Sequence, residues 1–145
     1  MRVLALACLG LILTTTAVAQ EYGAGLRAFN DGDYAKAREV WRALADQGNA
    51  KAQYGLGVIY ERGPGGMARD FGRAAHWYAR AAGSGHRAAQ NNLALMYANG
   101  RGVEKSPARA VHLWREAADG GHAMAQFNLG LAYYRGEGID QDHEA

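Results

Sequence analysis

The stretch from Ala52 to Tyr60 reads AQYGLGVIY, and it returns as AQNNLALMY from Ala89 to Tyr97 and as AQFNLGLAY from Ala125 to Tyr133. The copies are offset by 37 and then by 36 residues. A fixed period of this size is typical of a solenoid, in which each unit packs only against its neighbours. The high alanine content, with few Val or Ile, favours helix over sheet. The sequence therefore predicts an all-α, α/α superhelical solenoid of stacked antiparallel helix pairs.

Each unit has the pattern of two helices joined by a loop. In the first helix, Leu56, Gly57 and Tyr60 have the spacing of a helical face. A glycine follows each recurring tyrosine by three residues, at Gly63, Gly100 and Gly136. Glycine at such a position can adopt the left-handed conformation that ends a helix. We therefore predict that the first helix of each unit ends there.

The second helix of each unit has a clear start and a recurring ring. Good N-cap residues occupy equivalent places at Asp33, Asp70, Ser106 and Asp142. A bulky ring recurs in the helix body, at Trp41, Tyr78 and Trp114. Small residues recur in the first helix, at Gly57, Ala94 and Gly130. We expect the small residues to let the two helices of a unit approach closely, while the rings fill the space between units.

The first nineteen residues have the layout of a secretory signal peptide. Arg2 gives a positive start, an apolar run extends from Val3 to Leu13, and Ala17-Val18-Ala19 forms an A-x-A cleavage site. The alternative is a membrane anchor, but a bilayer span requires about 20 apolar residues and this run is shorter. We therefore expect export to the periplasm or the medium, with a mature chain that begins at Gln20.

Removal of residues 1–19 would leave a single domain of about 126 residues, 20–145. The only cysteine, Cys8, lies in the removed segment, so the mature chain would have no disulfide and no thiolate metal site. It would carry 15 basic and 14 acidic residues, interspersed along the chain. This pattern lacks the basic stripe that nucleic-acid binding requires.

These motifs resemble the Sel1-like repeat family, a relative of the tetratricopeptide repeat. The resemblance rests on A-x-x-x-L-G-x-x-Y, followed by G-x-G-V, A-x-x-W and A-A-x-x-G. Sel1-like repeats are identified at 50–86 and 87–122, with a partial repeat at 123–145. Residues 22–49 look more like a tetratricopeptide unit, because Gly32-Asp33-Tyr34 forms a tight turn without the long glycine loop.

The resemblance implies a superhelix whose concave face is lined by the first helices. It also implies a role in protein–protein interaction, often as a scaffold of bacterial envelopes. One cysteine-rich branch of the family has been linked to penicillin binding, and this chain lacks those cysteines.

Side chains that carry chemistry in other proteins have structural interpretations in this sequence. No two histidines lie three or four residues apart on a helix, as a helical metal site requires. We place His76 and His112 on outer helices, and His86 and His122 in interhelical turns. Ser84 lies in a Gly-Ser-Gly turn, and the carboxylates are scattered over loops and outer surfaces. We therefore predict a protein that is not an enzyme, with no catalytic site, no metal and no cofactor.

The best candidate for function is the inward face of the first helices. Its predicted partner-binding residues are Tyr22, Leu26, Phe29, Tyr54, Val58, Asn91, Leu95, Phe127, Leu131 and Tyr134. An aromatic and aliphatic surface of this kind suits an extended or helical peptide. The alternative is that some of these side chains pack between adjacent first helices, and for Val58, Leu95 and Leu131 the two interpretations are equally good.

The sequence thus predicts a non-enzymatic interaction scaffold of the bacterial cell envelope that binds a protein or peptide partner. The alternative is a cell-wall-directed module that binds peptidoglycan or modulates an enzyme acting on it. The sequence ends just after Asp142, so the first helix at 125–134 lacks a second helix to pair with. We expect its apolar side, including Leu129 and Tyr133, to be partly uncovered, with fraying beyond Ala123 or end-to-end self-association as the result.

The signal peptide interpretation is tested by the N-terminus of the protein in its native host. Because the A-x-A site ends at Ala19, mass spectrometry should find a mature chain that begins at Gln20. An intact Met1 in the purified native protein would contradict export.

Overall fold

The computed structural model describes the backbone of residues 3–138 and the side chains of residues 15–138. This part of the chain forms seven α-helices and no strand. The helices are α1 (Val3–Asn30), α2 (Tyr34–Asp46), α3 (Ala50–Arg62), α4 (Phe71–Gly83), α5 (Arg87–Asn99), α6 (Pro107–Asp119) and α7 (Ala123–Arg135). Each helix packs mainly against the helices that precede and follow it in the chain. The predicted all-α repeat solenoid is confirmed.

The predicted helix boundaries are confirmed wherever the structure describes them. The side chains of Asp33, Asp70 and Ser106 accept hydrogen bonds from the backbone N–H of the third residue of α2, α4 and α6, at 3.0, 2.9 and 3.4 Å. The helices α3, α5 and α7 end at Gly63, Gly100 and Gly136, which have φ of 58°, 65° and 66°. The fourth expected N-cap, Asp142, lies outside the described residues.

Aromatic rings pack directly on glycines where the helices cross. Trp41 of α2 lies between Gly25 of α1 and Gly55 of α3, and a Cβ at Gly55 would be 2.6 Å from its ring. Tyr78 of α4 covers Gly57 of α3 in the same way. Both rings are buried. The expected close approach of the helices is therefore confirmed for α3, where a side chain on either glycine would overlap a ring.

A recurring glutamine joins each unit to the next one. Gln53, Gln90 and Gln126 hold equivalent places near the start of α3, α5 and α7. Their amide groups donate to the carbonyl oxygens of Ala45, Ala82 and Ala118, at 3.0, 3.4 and 3.2 Å. Each of these carbonyls lies near the C-terminal end of the preceding second helix, where it also accepts from the backbone N–H three residues later. The hydrogen bond therefore ties the end of one unit to the start of the next.

The helix α1 runs without interruption through the predicted cleavage point between Ala19 and Gln20. Val18, inside the segment expected to be removed, packs against the core. Across the described residues, no helix combines the length and the hydropathy that crossing a membrane demands. Cleavage at Ala19 stays a prediction.

The last described helix, α7, carries several exposed apolar side chains. They belong to Met124, Phe127, Tyr133 and Tyr134. Among the described residues, no atom outside the helix backbone lies within 4 Å of the position where a Cβ on Gly130 would be, whereas the equivalent Gly57 is covered by Tyr78. Fraying of this helix and end-to-end association stay predictions.

The glycine contacts predict opposite effects for the same substitution at two equivalent positions. Gly57→Ala should lower the free energy of unfolding by about 1–3 kcal/mol, because the new methyl group overlaps the ring of Tyr78. Gly130→Ala should raise it by about 0.5–1 kcal/mol, because alanine favours helix and meets no neighbour there. Urea denaturation of both variants measures the two changes. Effects of equal sign would show that the ring contact does not control this position.

Candidate partner-binding surface

The predicted partner-binding residues lie on α1, α3, α5 and α7, and we call this surface the first-helix face. Four of its members are exposed in the structure. They are Leu26 (42%), Leu95 (38%), Phe127 (65%) and Tyr134 (89%). Single exposed apolar residues are common on proteins, but apolar residues repeated on successive helices of a stack form a surface that suits a partner. These four side chains are accessible to a protein partner.

The other aromatic members of the face pack partly against the core. The ring of Tyr22 stacks on Trp41 with centroids 5.8 Å apart, and Phe29 stacks on the same ring at 5.6 Å. Tyr54 contacts Tyr78 at 5.8 Å and stacks on His86 at 4.7 Å. Val58 and Leu131 are half-buried as well. Any contact of these five residues with a partner therefore uses only the exposed part of each side chain.

Asn91, which we predicted as a partner-binding residue, is buried in the structure, and its side chain forms hydrogen bonds within the protein. Its amide donates to Asn92 Oδ1 at 3.3 Å, and its own oxygen accepts from the amide of Asn128 in α7 at 3.0 Å. Asn91 therefore links two successive first helices instead of presenting its side chain to a partner.

A second hydrogen bond of this kind joins the two helices of one unit. Tyr78 Oη donates to Glu61 Oε2 at 2.6 Å. Burial of the phenol, and this hydrogen bond to Glu61, raise the pKa of Tyr78 well above its usual value, while a hydrogen bond to Asn92 acts in the opposite direction. The phenol therefore stays protonated and remains a donor. The sequence did not predict these hydrogen bonds of Tyr78, Glu61 and the asparagines. The signal that could have indicated them is the asparagine at equivalent positions, Asn92 and Asn128.

The histidines in the interhelical turns have a structural role that sequence analysis did not assign. His86 Nδ1 accepts from Ala89 N at 3.2 Å, and His122 Nδ1 accepts from Ala125 N at 3.2 Å. Asn49 does the same for α3 with its side-chain oxygen, at 2.9 Å. The three residues are equivalent N-caps. His76 and His112 lie exposed on the second helices, as expected.

The serines hold structural positions as well. Ser106 caps α6, and Ser84 Oγ donates to Arg80 O at the end of α4. Within the part of the chain that the structure describes, no three His, Cys, Asp or Glu side chains are grouped as ligands of a metal ion would be.

The sequence model of the Sel1 repeat matches residues 16–49, 50–86, 87–122 and 123–145. The chain belongs to the Sel1 repeat family. The first match includes the unit that we compared with a tetratricopeptide repeat. Sel1 repeat proteins typically mediate protein–protein interactions, and the family is generally non-catalytic.

Solved structures of Sel1 repeat proteins share this architecture. A Sel1 repeat protein from Oxalobacter formigenes is 31% identical with a TM-score of 0.75, and the match covers 81% of this chain and 48% of that one. The protein c5321, a protective antigen of uropathogenic Escherichia coli, is 33% identical with a TM-score of 0.81, over 94% of this chain and 30% of that one. Cysteine-rich protein B of Helicobacter pylori, at 24% identity and a TM-score of 0.61, is similar in fold over 65% of this chain and 70% of that one.

A plant protein is also similar over part of the chain. The ERAD-associated E3 ubiquitin-protein ligase component HRD3A of Arabidopsis thaliana is 35% identical over 64 residues, which is 44% of this chain and 9% of that protein. This chain thus spans less than half the length of HRD3A and of the two bacterial proteins with more than 30% identity. The similarity to these longer proteins concerns the repeat region alone.

The cap at His86 predicts a pH dependence of stability. Burial is the main cause that lowers the pKa of His86 in the folded protein, and the charges of Lys51 and His122 lower it further. As the pH falls below about 6.5, the unfolded chain binds the proton first, so the free energy of unfolding decreases. Protonation also makes Nδ1 a donor, which removes the cap to Ala89.

The matched variant for this test is His86→Asn, which copies the cap that Asn49 already forms. It should keep the cap and lose the titration, so its stability should fall less than that of the parent between neutral pH and about pH 5. Urea denaturation at several pH values measures both curves. Parallel curves would show that His86 does not contribute to the pH dependence.

Proposed function

We propose that this chain is a non-enzymatic scaffold of a bacterial cell envelope, which holds a protein partner on the first-helix face. The observation that carries the proposal is the exposure of Leu95 and Phe127 on successive first helices. Large apolar side chains in such positions supply most of the affinity in many protein interfaces. The typical role of Sel1 repeat proteins in protein–protein interaction supports the same proposal.

The envelope location rests on the N-terminal sequence. The positive residue Arg2, the short apolar run and the A-x-A site are together typical of exported proteins. The absence of cysteine after Cys8 is compatible with an oxidising compartment, in which an unpaired thiol would be open to oxidation. We therefore place the partner in the same compartment, outside the cytoplasm.

The proposal is tested by the double variant Leu95→Ala with Phe127→Ala. Both side chains are exposed, so their truncation should change the free energy of unfolding by no more than about 1 kcal/mol. Crosslinking in the native cell, followed by mass spectrometry, should recover a partner with the parent and roughly tenfold less of it with the variant. The matched control is His76→Ala with His112→Ala, two exposed residues on the second helices.

Three results would contradict the proposal. One is equal capture by the parent and the double variant, and another is equal loss in the histidine control. Binding of the parent to purified peptidoglycan, without any protein partner, would favour the cell-wall-directed module instead. Light scattering of the purified chain over a range of concentrations shows whether the crosslinked partner is a second copy of the protein.

A further inference from the structure

A basic cleft lies next to the first-helix face, where α3, α4 and α5 meet. Its volume is about 340 Å³. The residues that line it are Glu61, Arg62, Arg69, Phe71, Asn92 and Arg101. Three arginines thus share a small space with a single carboxylate. For the chain as a whole, basic and acidic residues nearly balance, so this excess of positive charge is local.

The protein itself holds the side chains of Arg69 and Arg101 in place. Arg69 Nε donates to the backbone oxygen of Arg62 at 3.2 Å, so these two residues are joined. The guanidinium of Arg101 lies over the ring of Phe71, 5.3 Å from its centroid. Cation–π contacts of this kind fix the plane of a guanidinium and leave its edge free to donate. Arg69 and Arg101 therefore need little further ordering to bind an anion.

No carboxylate among the described residues lies within ion-pair distance of these arginines. Glu61 lines the same cleft, and its Oε2 accepts a short hydrogen bond from Tyr78. Among the described residues, no ion pair neutralises the three arginines, so the cleft can accept an anion.

The fold itself does not require three arginines in these positions. The three positions recur in the next unit with other residues. Asn99 replaces Arg62 at the end of the first helix, and Lys105 replaces Arg69 just before the N-cap of the second helix. Glu137 replaces Arg101 just after the glycine that ends the following helix. These three residues line the corresponding cleft, and they are an amide, a cation and an anion. A basic residue at a helix C-terminus stabilises that helix, which explains Arg62, and Arg69 donates to the last carbonyl oxygen of the same helix. Neither role explains Arg101. The cluster is a particular feature of one unit.

The surroundings of the cleft match a peptide better than a free anion. Asn92, which lines the cleft, precedes the exposed Leu95 by one helical turn on α5. An acidic side chain in the cleft would thus bring a neighbouring apolar side chain of the same peptide onto Leu95. Arginine pairs well with carboxylates because its planar group offers two parallel donors.

From these observations we infer that the cleft binds an acidic segment of the protein partner, with a carboxylate held between Arg62, Arg69 and Arg101. The inference rests on the proposed function, because it describes the chemistry of the same partner. The arginine contacts supply orientation and a fast electrostatic approach, while Leu95 and Phe127 supply apolar contact. The bound segment carries acidic residues next to apolar ones.

The test measures the binding of fluorescein-labelled hexaglutamate to the full chain by fluorescence anisotropy, with labelled hexaglutamine as the uncharged probe. The parent should bind hexaglutamate, more weakly as the ionic strength rises, and should not bind hexaglutamine. The double variant Arg62→Gln with Arg101→Gln should weaken binding roughly tenfold or more, because two charged donors to the carboxylate are lost. Arg69 is left in place because it also bonds the end of α3.

The matched control is Arg27→Gln with Arg38→Gln, which removes the same charge from exposed positions outside the cleft. It should bind within about twofold of the parent. The second test pair, Arg62→Lys with Arg101→Lys, keeps the charge and should retain more binding than the glutamine pair. A thermal melt of each variant shows whether it is folded. If the glutamine pair unfolds, the lysine pair and the control decide the result.

The inference is overturned if the parent does not bind hexaglutamate, or if the control variant loses as much binding as the cleft variant. It is also overturned if inorganic tripolyphosphate displaces the peptide at a lower concentration than unlabelled hexaglutamate does, which would indicate a phosphate site. The proposed function fails separately, through unchanged partner capture by the Leu95 and Phe127 variant. Loss of capture without hexaglutamate binding would leave the scaffold proposal intact and reject only the acidic segment.

Discussion

The close approach of helices at glycine is the constraint on which the stack depends. Gly55 and Gly57 lie on nearly opposite sides of α3, one against Trp41 of the preceding unit and the other against Tyr78 of its own unit. The helix is held between two rings without room for a Cβ on either side, so its rotation about its own axis is fixed. That rotation places Tyr54 on the first-helix face and sets how much of its ring is exposed.

Much of the fold could be predicted because its signals are local and recur. A residue such as Asp70 caps the helix that directly follows it, and Gly63 ends a helix through its own backbone conformation. Neither depends on contacts with distant parts of the chain. The alignment of Trp41 with Tyr78 also predicted the rings of the interior, because a period of fixed length brings equivalent residues to equivalent places.

The details of the surface could not be predicted, because they depend on contacts between units. Asn91 aligns with Tyr54 and Phe127, so the sequence placed it on the correct face, but its burial depends on Asn128 in another helix. The caps at His86 and His122 were missed because histidine is a less common N-cap than Asn or Asp. The basic cleft could not be predicted for a related reason, since Arg62, Arg69 and Arg101 share one cleft only when α4 packs between the ends of α3 and α5.

The pattern of neighbour-to-neighbour packing also shapes how the protein folds. Because each helix contacts mainly the next one in the chain, most native contacts join residues that are close in sequence. Such a topology requires little loop closure, so folding is fast compared with sheet proteins of similar size. Formation of structure can begin at any helix pair and spread in both directions. A helix pair near one end of the stack can therefore form before the pair at the other end does.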